Sequence, residues 1–198
     1  MVKRATDLVL ASLALIALAP VLLLAMTWVW FDSSGPVFFR QERVGRGGRL
    51  FRIHKLRTMR VHDAAHGSAV TGFADARITR AGRWLRHHRI DELPQLIDVL
   101  RGDMSLVGPR PEVPRFVALY PPELRERVLA VRPGITDPAA LEFVDEAQLL
   151  AGSPDPERTY IDVILPLKLR RQAEYVDRAN WKSDLAVIGR TLRLLVQR

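Results

Sequence analysis

Residues Leu8 to Phe31 are 24 consecutive uncharged, mostly apolar residues with Pro20 in their middle. As a straight helix at about 1.5 Å per residue they would reach about 36 Å, enough to cross a hydrocarbon core of roughly 30 Å. The flanking charges argue against a simple span. Lys3 and Arg4 precede the segment and Arg40, Arg43, Arg46, Arg49 and Arg52 follow it, so by the positive-inside rule both ends belong on the cytoplasmic side. Pro20 removes one backbone bond and divides the segment into halves of about 18 Å, each about half a bilayer deep. The sequence therefore predicts a re-entrant membrane helix hairpin over residues 1–32, turning at Pro20. Ser12 and Thr27 are the hydroxyls at hand for backbone groups released at the kink. A kinked full span and a cleavable signal peptide are the competing readings, the second because Ala17 to Ala19 imitate a small-residue cleavage site. Proline directly after that site, and a chain without cysteine, weigh against cleavage and export.

The remaining residues, 33–198, suffice for one domain with a modest core. A formal net charge of +8 admits nucleic acid, anionic lipid or phosphorylated small molecules as partners. Its distribution narrows the choice. Between Ser33 and Arg110 there are 15 Lys and Arg against 7 Asp and Glu, whereas the rest of the chain is balanced. The cationic excess directly follows the apolar segment, where headgroups and phosphates would be met. Few aromatics are interleaved with these arginines, which disfavours nucleic acid.

The expected fold class is α+β and mainly helical: the membrane helix, a small β-hairpin, then interfacial and C-terminal helices. Val37 to Gln41 and Leu50 to Leu56 predict the hairpin, with a turn holding Gly45, Gly47 and Gly48. Arg60 to Ala74 reads as a loop. A helix is expected from Thr79 to about Arg89, and a second from near Leu93 with Pro94 in its first turn, ending at Gly102. Prolines at 109, 111, 114, 121, 122, 133 and 138 divide the middle into loops and short helices. Two longer helices follow, about Glu157 to Asp177, interrupted at Pro166, and about Lys182 to Val196. Along the last, Trp181, Leu185, Ile188, Leu192 and Leu195 share one face, which suits either core packing or a membrane interface.

Asp91 and Glu92 are adjacent carboxylates just before the Pro94 helix, preceded by Arg86 and Arg89. Such a pair is often only a solvated helix start. Nearby guanidinium groups, however, bind phosphate oxygens and keep a nucleophilic carboxylate ionised. Arg77, Arg80, Arg83, Arg86 and Arg89 recur every third residue, and steps of three rotate by about 60° per step on a helix, so they cannot all converge on one phosphate. Arg110, held between Pro109 and Pro111, is a pre-organised clamp for a phosphate. Lys55 and Arg57 at the end of the hairpin add positive charge. The five histidines lack zinc-site spacing, the glycines form no Walker loop, and no serine-nucleophile motif occurs.

The strings GPVFFRQERVGRGGRLFRIHKLRTM, Gly35 to Met59, and DARITRAGRWLRHHRIDELPQLIDVLRGDMSLVGPRPE, Asp75 to Glu112, resemble the bacterial sugar transferase family, the monotopic phosphoglycosyl transferases. With the apolar segment and RPGITD, Arg132 to Asp137, the likeness extends over most of the first 140 residues. It implies a re-entrant helix in the bacterial inner membrane and a cytoplasmic active site. It also implies transfer of a sugar phosphate from a nucleotide diphosphate sugar, such as a UDP-sugar, to undecaprenyl phosphate, initiating a surface glycan. By that resemblance Asp91 is the nucleophile and becomes a phosphosugar ester, Glu92 assists with proton handling or metal placement, and Mg²⁺ at Asp91 and Glu92 neutralises the diphosphate. Arg86 and Arg110 match phosphate-pocket positions, and Pro109 and Pro111 the Pro-Arg-Pro element associated with the nucleotide.

Departures are also visible. Asp137 to Phe143 read DPAALEF where many members have a Gly-Trp-Ala-Gln type segment and a further Gly-Arg, and Asp98 stands where Asn is usual. The chain is expected to be the compact form of the family, a homodimer being among the assemblies it allows. The rival reading is a catalytically silent relative that binds anionic lipid or a glycan-assembly partner.

Overall fold

A computed structural model describes residues 2–60, 76–143, 150 and 152–197 of the chain. Residues 61–74 of the expected loop lie outside the described residues. Helix α1, Val2–Asp32, is a single run of 31 residues with Pro20 inside it rather than at a turn between two helices. One stripe of α1, Asp7, Ala11, Leu22, Ala25 and Val29, is buried against the rest of the chain, while Leu13, Ile16, Leu23, Leu24 and Phe31 on its other faces are exposed.

Both ends of α1 are bonded to the same body. Near its start, Lys3 Nζ donates to Val107 O (3.0 Å) and Arg4 Nη1 to Val99 O (2.7 Å). Asp7 accepts from Ser105 Oγ (2.8 Å) and from the Leu106 amide (3.2 Å). At its end, Asp32 accepts from the Ala81 amide (3.0 Å), and Arg57 donates to the carbonyls of Val29, Ser33 and Pro36. The guanidinium thus satisfies carbonyls that a helix C-terminus leaves without intrahelical donors.

The hairpin forms as expected. Strands β1, Phe38–Val44, and β2, Leu50–Leu56, pair antiparallel with Phe39 opposite Lys55 and Arg40 opposite His54. Gly47 (φ 67°) and Gly48 (φ 81°) supply the left-handed turn. Helix α2, Arg80–His87, is capped by Thr79, whose hydroxyl accepts from the Gly82 amide. A short 3₁₀ turn, Ile90–Glu92, leads into α3, Gln95–Arg101, which ends at Gly102 with φ 89°. Strand β3, Ser105–Val107, pairs parallel with β4, Gly134–Thr136. A Cβ on Gly134 would collide with the Gly108 backbone, so this approach requires glycine. Between them lie α4, Pro114–Val117, and α5, Pro122–Leu129; α6, Pro138–Glu142, follows β4.

The expected Glu157 helix is built in three parts. They are α7, Pro156–Thr159, a π turn, Tyr160–Ile164, and α8, Leu165–Arg178. The π turn ends two residues before Pro166, whose ring would otherwise meet the carbonyl four residues back, inside that turn. The last helix, α9, Trp181–Val196, starts at a capping box of Asn180 and Ser183. Its buried side is not the expected apolar face: Asp184 and Val187 point inward, while Trp181, Leu185 and Leu192 are exposed. The Tyr175 hydroxyl (2.5 Å) and Lys3 Nζ (2.5 Å) hold Asp184 inside and fix the rotation of the helix. The core-packing reading of that face fails at Trp181, Leu185 and Leu192 and holds at Ile188, which packs beside Val187.

Candidate functional site

The 3₁₀ turn between α2 and α3 carries Asp91 and Glu92, both buried. Arg89, just before it, has φ 55°, the single non-glycine residue in the left-handed region among the described residues. That conformation ends α2 and redirects the chain, so the two carboxylates turn inward beneath the hairpin instead of continuing the helix. Non-glycine residues adopt it at a cost and collect at functional sites.

Cations converge on the pair. Lys55 Nζ lies 2.9 Å from Glu92 Oε1 and 3.4 Å from Asp91 Oδ2. Arg110 holds Glu92 with both terminal nitrogens, Nη1 to Oε2 at 3.3 Å and Nη2 to Oε1. Arg89 Nη1 stands 3.9 Å from Glu92 Oε2. Arg86 donates to Thr58 Oγ1 (2.8 Å) and still pulls on the Asp91 charge. Of the five spaced arginines, Arg80 and Arg83 are exposed, while Arg86 and Arg89 are part-buried and act on the acidic pair.

The two carboxyls are in opposite electrostatic states. Burial pushes Asp91 above the ordinary aspartate range, with Glu92 adding to the rise and Lys55 and Arg86 opposing it. Burial also acts to raise Glu92, but Arg110 and Lys55 outweigh it and hold that carboxyl well below the usual range. Glu92 in turn raises Arg110 above its already high value. Glu92 is therefore a fixed anion that organises cations, an arrangement unsuited to proton exchange near neutral pH. Asp91 is the more basic oxygen nucleophile of the two.

The Pro-Arg-Pro element is braced from several sides. The Arg110 amide donates to Asp137 Oδ2 (2.8 Å), and the same carboxylate accepts from Gln172 and caps α6 through the Ala140 amide. Pro109 O accepts from the Gly134 amide (3.0 Å) and Pro111 O from Arg43 Nη1 (2.9 Å). Glu112 beside it accepts from the Tyr160 hydroxyl (2.5 Å). Sequence reasoning names Asp137 only as the end of a motif; Asp followed by Pro138 is a helix-start signal that could have marked it.

Lys55, Arg86, Asp91, Glu92 and Arg110 are thus brought together, with Pro109 and Pro111 stiffening the loop. Arg57 is placed elsewhere, its guanidinium spent on the end of α1. Pro20 is exposed on the apolar helix, away from the carboxylates. A divalent cation fits the donor set in one respect: two adjacent carboxylates supply hard oxygens, and Mg²⁺ is commonly held by one or two carboxylates completed by substrate phosphates. Among the described residues no group of three acidic, His or Cys side chains forms a closed metal cage.

Over 198 residues the chain is 35% identical to the UDP-N-acetylgalactosamine-undecaprenyl-phosphate N-acetylgalactosaminephosphotransferase of Aeromonas hydrophila, covering 98% of this chain and 44% of that protein. It is 39% identical over 197 residues to the UDP-glucose:undecaprenyl-phosphate glucose-1-phosphate transferase of Caulobacter vibrioides, 98% of this chain and 69% of the relative. The undecaprenyl-phosphate glucose phosphotransferase of Komagataeibacter xylinus is 48% identical over 143 residues, 68% of this chain and 26% of the relative. The chain thus spans less than half the length of the Aeromonas protein and about a quarter of the Komagataeibacter one. The family described as bacterial sugar transferase matches residues 1–198, and the chain belongs to that family.

Proposed function

We propose that the protein is a phosphoglycosyl transferase that moves a sugar 1-phosphate from a UDP-sugar to undecaprenyl phosphate, starting a surface glycan at the cytoplasmic face of the bacterial inner membrane. The observation that carries this reading is Asp91, buried and made more basic, beside a Glu92 locked to Lys55 and Arg110. The relatives' names supply the substrate classes.

In the first half-reaction an Asp91 oxygen attacks the phosphorus that bears the sugar. The bond from that phosphorus to the bridging oxygen breaks, its electron pair leaves with the nucleoside monophosphate, and an aspartyl phosphosugar ester remains. In the second, an oxygen of the polyprenol phosphate attacks the same phosphorus and the ester bond breaks. Free Asp91 and a polyprenyl diphosphate sugar result. Lys55, Arg86 and Arg110 hold phosphate oxygens while charge redistributes, and preorganised cations in a partly dehydrated site stabilise such states strongly. Asp91 and Glu92, with substrate phosphate oxygens, would hold Mg²⁺, which neutralises diphosphate charge when bound.

The membrane arrangement has its own support. Lys3, Arg4 and Asp7 at one end of α1 and Val29 and Asp32 at the other are bonded to one body, which suits a helix that enters and leaves on the same side. The exposed apolar face of α9 suits contact with the same surface.

The test incubates purified protein with a panel of nucleotide sugars, Mg²⁺ and undecaprenyl phosphate and measures nucleoside monophosphate release. Intact-mass analysis without acceptor is expected to show one phosphosugar adduct, lost in Asp91→Asn. Turnover undiminished in Asp91→Asn would overturn the proposal. Lipid binding without turnover by the unaltered protein under every donor would favour the silent-relative reading.

A further inference from the structure

His54 and Asp98 form a buried pair that no step above uses. Asp98 is almost fully enclosed, at 1% exposure, yet it is a charged residue on α3, and His54 on β2 is also removed from solvent. One Asp98 oxygen, Oδ2, accepts from the His54 backbone amide at 2.8 Å; the other, Oδ1, meets the ring Nδ1 at 2.5 Å. On the far side of the ring, Arg101 Nη1 lies 3.2 Å from Nε2.

These contacts fix the ring chemically. A carboxylate offers only acceptors to Nδ1, and a guanidinium offers only donors to Nε2. The ring must therefore carry its proton on Nδ1 and present a lone pair at Nε2. The backbone contact matters as much. β1 pairs with one edge of β2, and the His54 amide points out of the other edge. A buried strand amide without a partner is costly, and Asp98 provides the partner. The carboxylate therefore grips one residue of β2 at both main chain and side chain.

The location of that grip gives it meaning. His54 immediately precedes Lys55, whose amine bridges Asp91 and Glu92. Asp98 lies on the helix that directly follows those carboxylates. The two halves of the site thus sit on separate elements, and Asp98 with His54 is a polar tie between them beside the apolar contacts of Ile53, Leu96 and Val99.

We propose that Asp98, His54 and Arg101 act as positioning residues that set the placement of Lys55 against the Asp91–Glu92 pair, with the polarity of the network, rather than its bulk, specifying that placement. The claim rests on the transferase reading for its kinetic readout, but not for its structural one.

Asp98→Asn keeps size and shape. The amide oxygen can still accept from the His54 amide, but the NH₂ now faces Nδ1, so the ring proton moves to Nε2 and opposes the Arg101 donor. The double variant Asp98→Asn/Arg101→Gln reverses both hydrogen bonds of the ring and satisfies the network again. Nitrogen NMR of ring-labelled protein is expected to show the Nδ1–H tautomer in the unaltered protein and the Nε2–H tautomer in both variants. The single variant is expected to lose about tenfold in kcat with less than a twofold change in donor KM, and the double variant to recover most of it. Amide exchange at residues 54–57 and 90–93 is expected to speed up about tenfold in the single variant and to return in the double. Retention of kcat within twofold by Asp98→Asn overturns the proposal, as does a double variant no better than the single one. If the unaltered protein turned over no donor, the transferase reading would fail by itself. Exchange at the two segments would then decide this proposal, unchanged rates in Asp98→Asn refuting it.

Discussion

Replacing Glu92 by Gln should destabilise the protein, and replacing its neighbour Asp91 by Asn should stabilise it. Glu92 faces Lys55 at 2.9 Å, Arg110 through both terminal nitrogens, and Arg89 at 3.9 Å. At an effective dielectric near 20, each such unit-charge contact at about 4 Å amounts to about 4 kcal/mol before desolvation is subtracted. Arg89 is about a third exposed and is discounted accordingly, leaving Lys55 and Arg110 as the partners that matter. A neutral amide in place of the Glu92 carboxylate would leave two part-buried cations facing each other, and breaking such a pair costs about 3–5 kcal/mol. For a chain of this size about 3 kcal/mol corresponds to a fall in Tm of about 6–12 °C. The pH dependence has a definite sign. Glu92 titrates lower in the folded protein than unfolded, so its stabilisation is complete above the ordinary glutamate range and disappears as pH falls through the depressed value. Asp91 titrates higher when folded, so its ionised form opposes folding at neutral pH, and Asn removes that cost. The assay is thermal unfolding in detergent, followed by circular dichroism at neutral pH. Uridine diphosphate at about 100 times its Kd should raise stability by about 2.7 kcal/mol in the unaltered protein, and by more in Glu92→Gln, where the diphosphate replaces the missing anion. A Tm for Glu92→Gln within about 2 °C of the unaltered protein, or Asp91→Asn destabilised as much as Glu92→Gln, would show that the two carboxylates do not differ in this way.

The acidic limb of the kcat/KM profile should rise with pH through the elevated Asp91 ionisation, and Lys55→Gln should move that limb to higher pH because Lys55 favours the charged form; a limb unmoved in the variant would refute it. Single cysteines at Val2 and Ser34, both exposed near the ends of α1, should react with an impermeant maleimide from the same side of sealed vesicles, whereas labelling from opposite sides would exclude a re-entrant helix. Trp28, Trp30, Trp84 and Trp181 are all exposed, at 42%, 64%, 44% and 54%, so vesicles with brominated acyl chains should quench fluorescence more than aqueous iodide does, and Trp181→Phe should reduce that quenching. Gly134→Ala should lower stability by at least about 1–3 kcal/mol in urea unfolding, because its Cβ would enter the Gly108 backbone.

What is legible in the sequence is local. The glycines of the hairpin turn, Pro94 before α3 and Gly102 after it state backbone requirements within a few residues, and the observed boundaries follow them. The adjacent acids and the Pro-Arg-Pro run stand out for the same reason. Pairings across the chain carry no such signal. Proximity groups Arg57 with Lys55, yet a residue's partners are set by what packs against it, and for Arg57 that is the end of α1. On α9, periodicity locates an apolar arc without saying which side turns inward; one carboxylate, Asp184, bonded to Tyr175 and Lys3, decides it. Arg89 gives no warning because the left-handed region ordinarily announces itself by glycine or asparagine.

The apolar helix is more than an appendage of the domain that follows it. Asp32, its last residue, accepts from a first-turn amide of α2, while Arg4, in its first turn, donates to the last carbonyls of α3, Val99 at 2.7 Å and Leu100 at 3.2 Å. Those two helices flank the turn that holds Asp91 and Glu92. The apolar helix therefore brackets the segment that carries Asp91 and Glu92 from both ends, using an acid at a helix start and a base at a helix end, the signs favoured by the helix dipole. An acceptor phosphate fixed to a lipid can reach a nucleophile only at one depth. On the proposed transferase reading, a helix seated in the membrane by its apolar face, with both of its ends bonded to the elements around Asp91, would set that depth through a few hydrogen bonds. Loss of either tie should therefore weaken turnover with the long polyprenol phosphate more than nucleotide release in the first half-reaction.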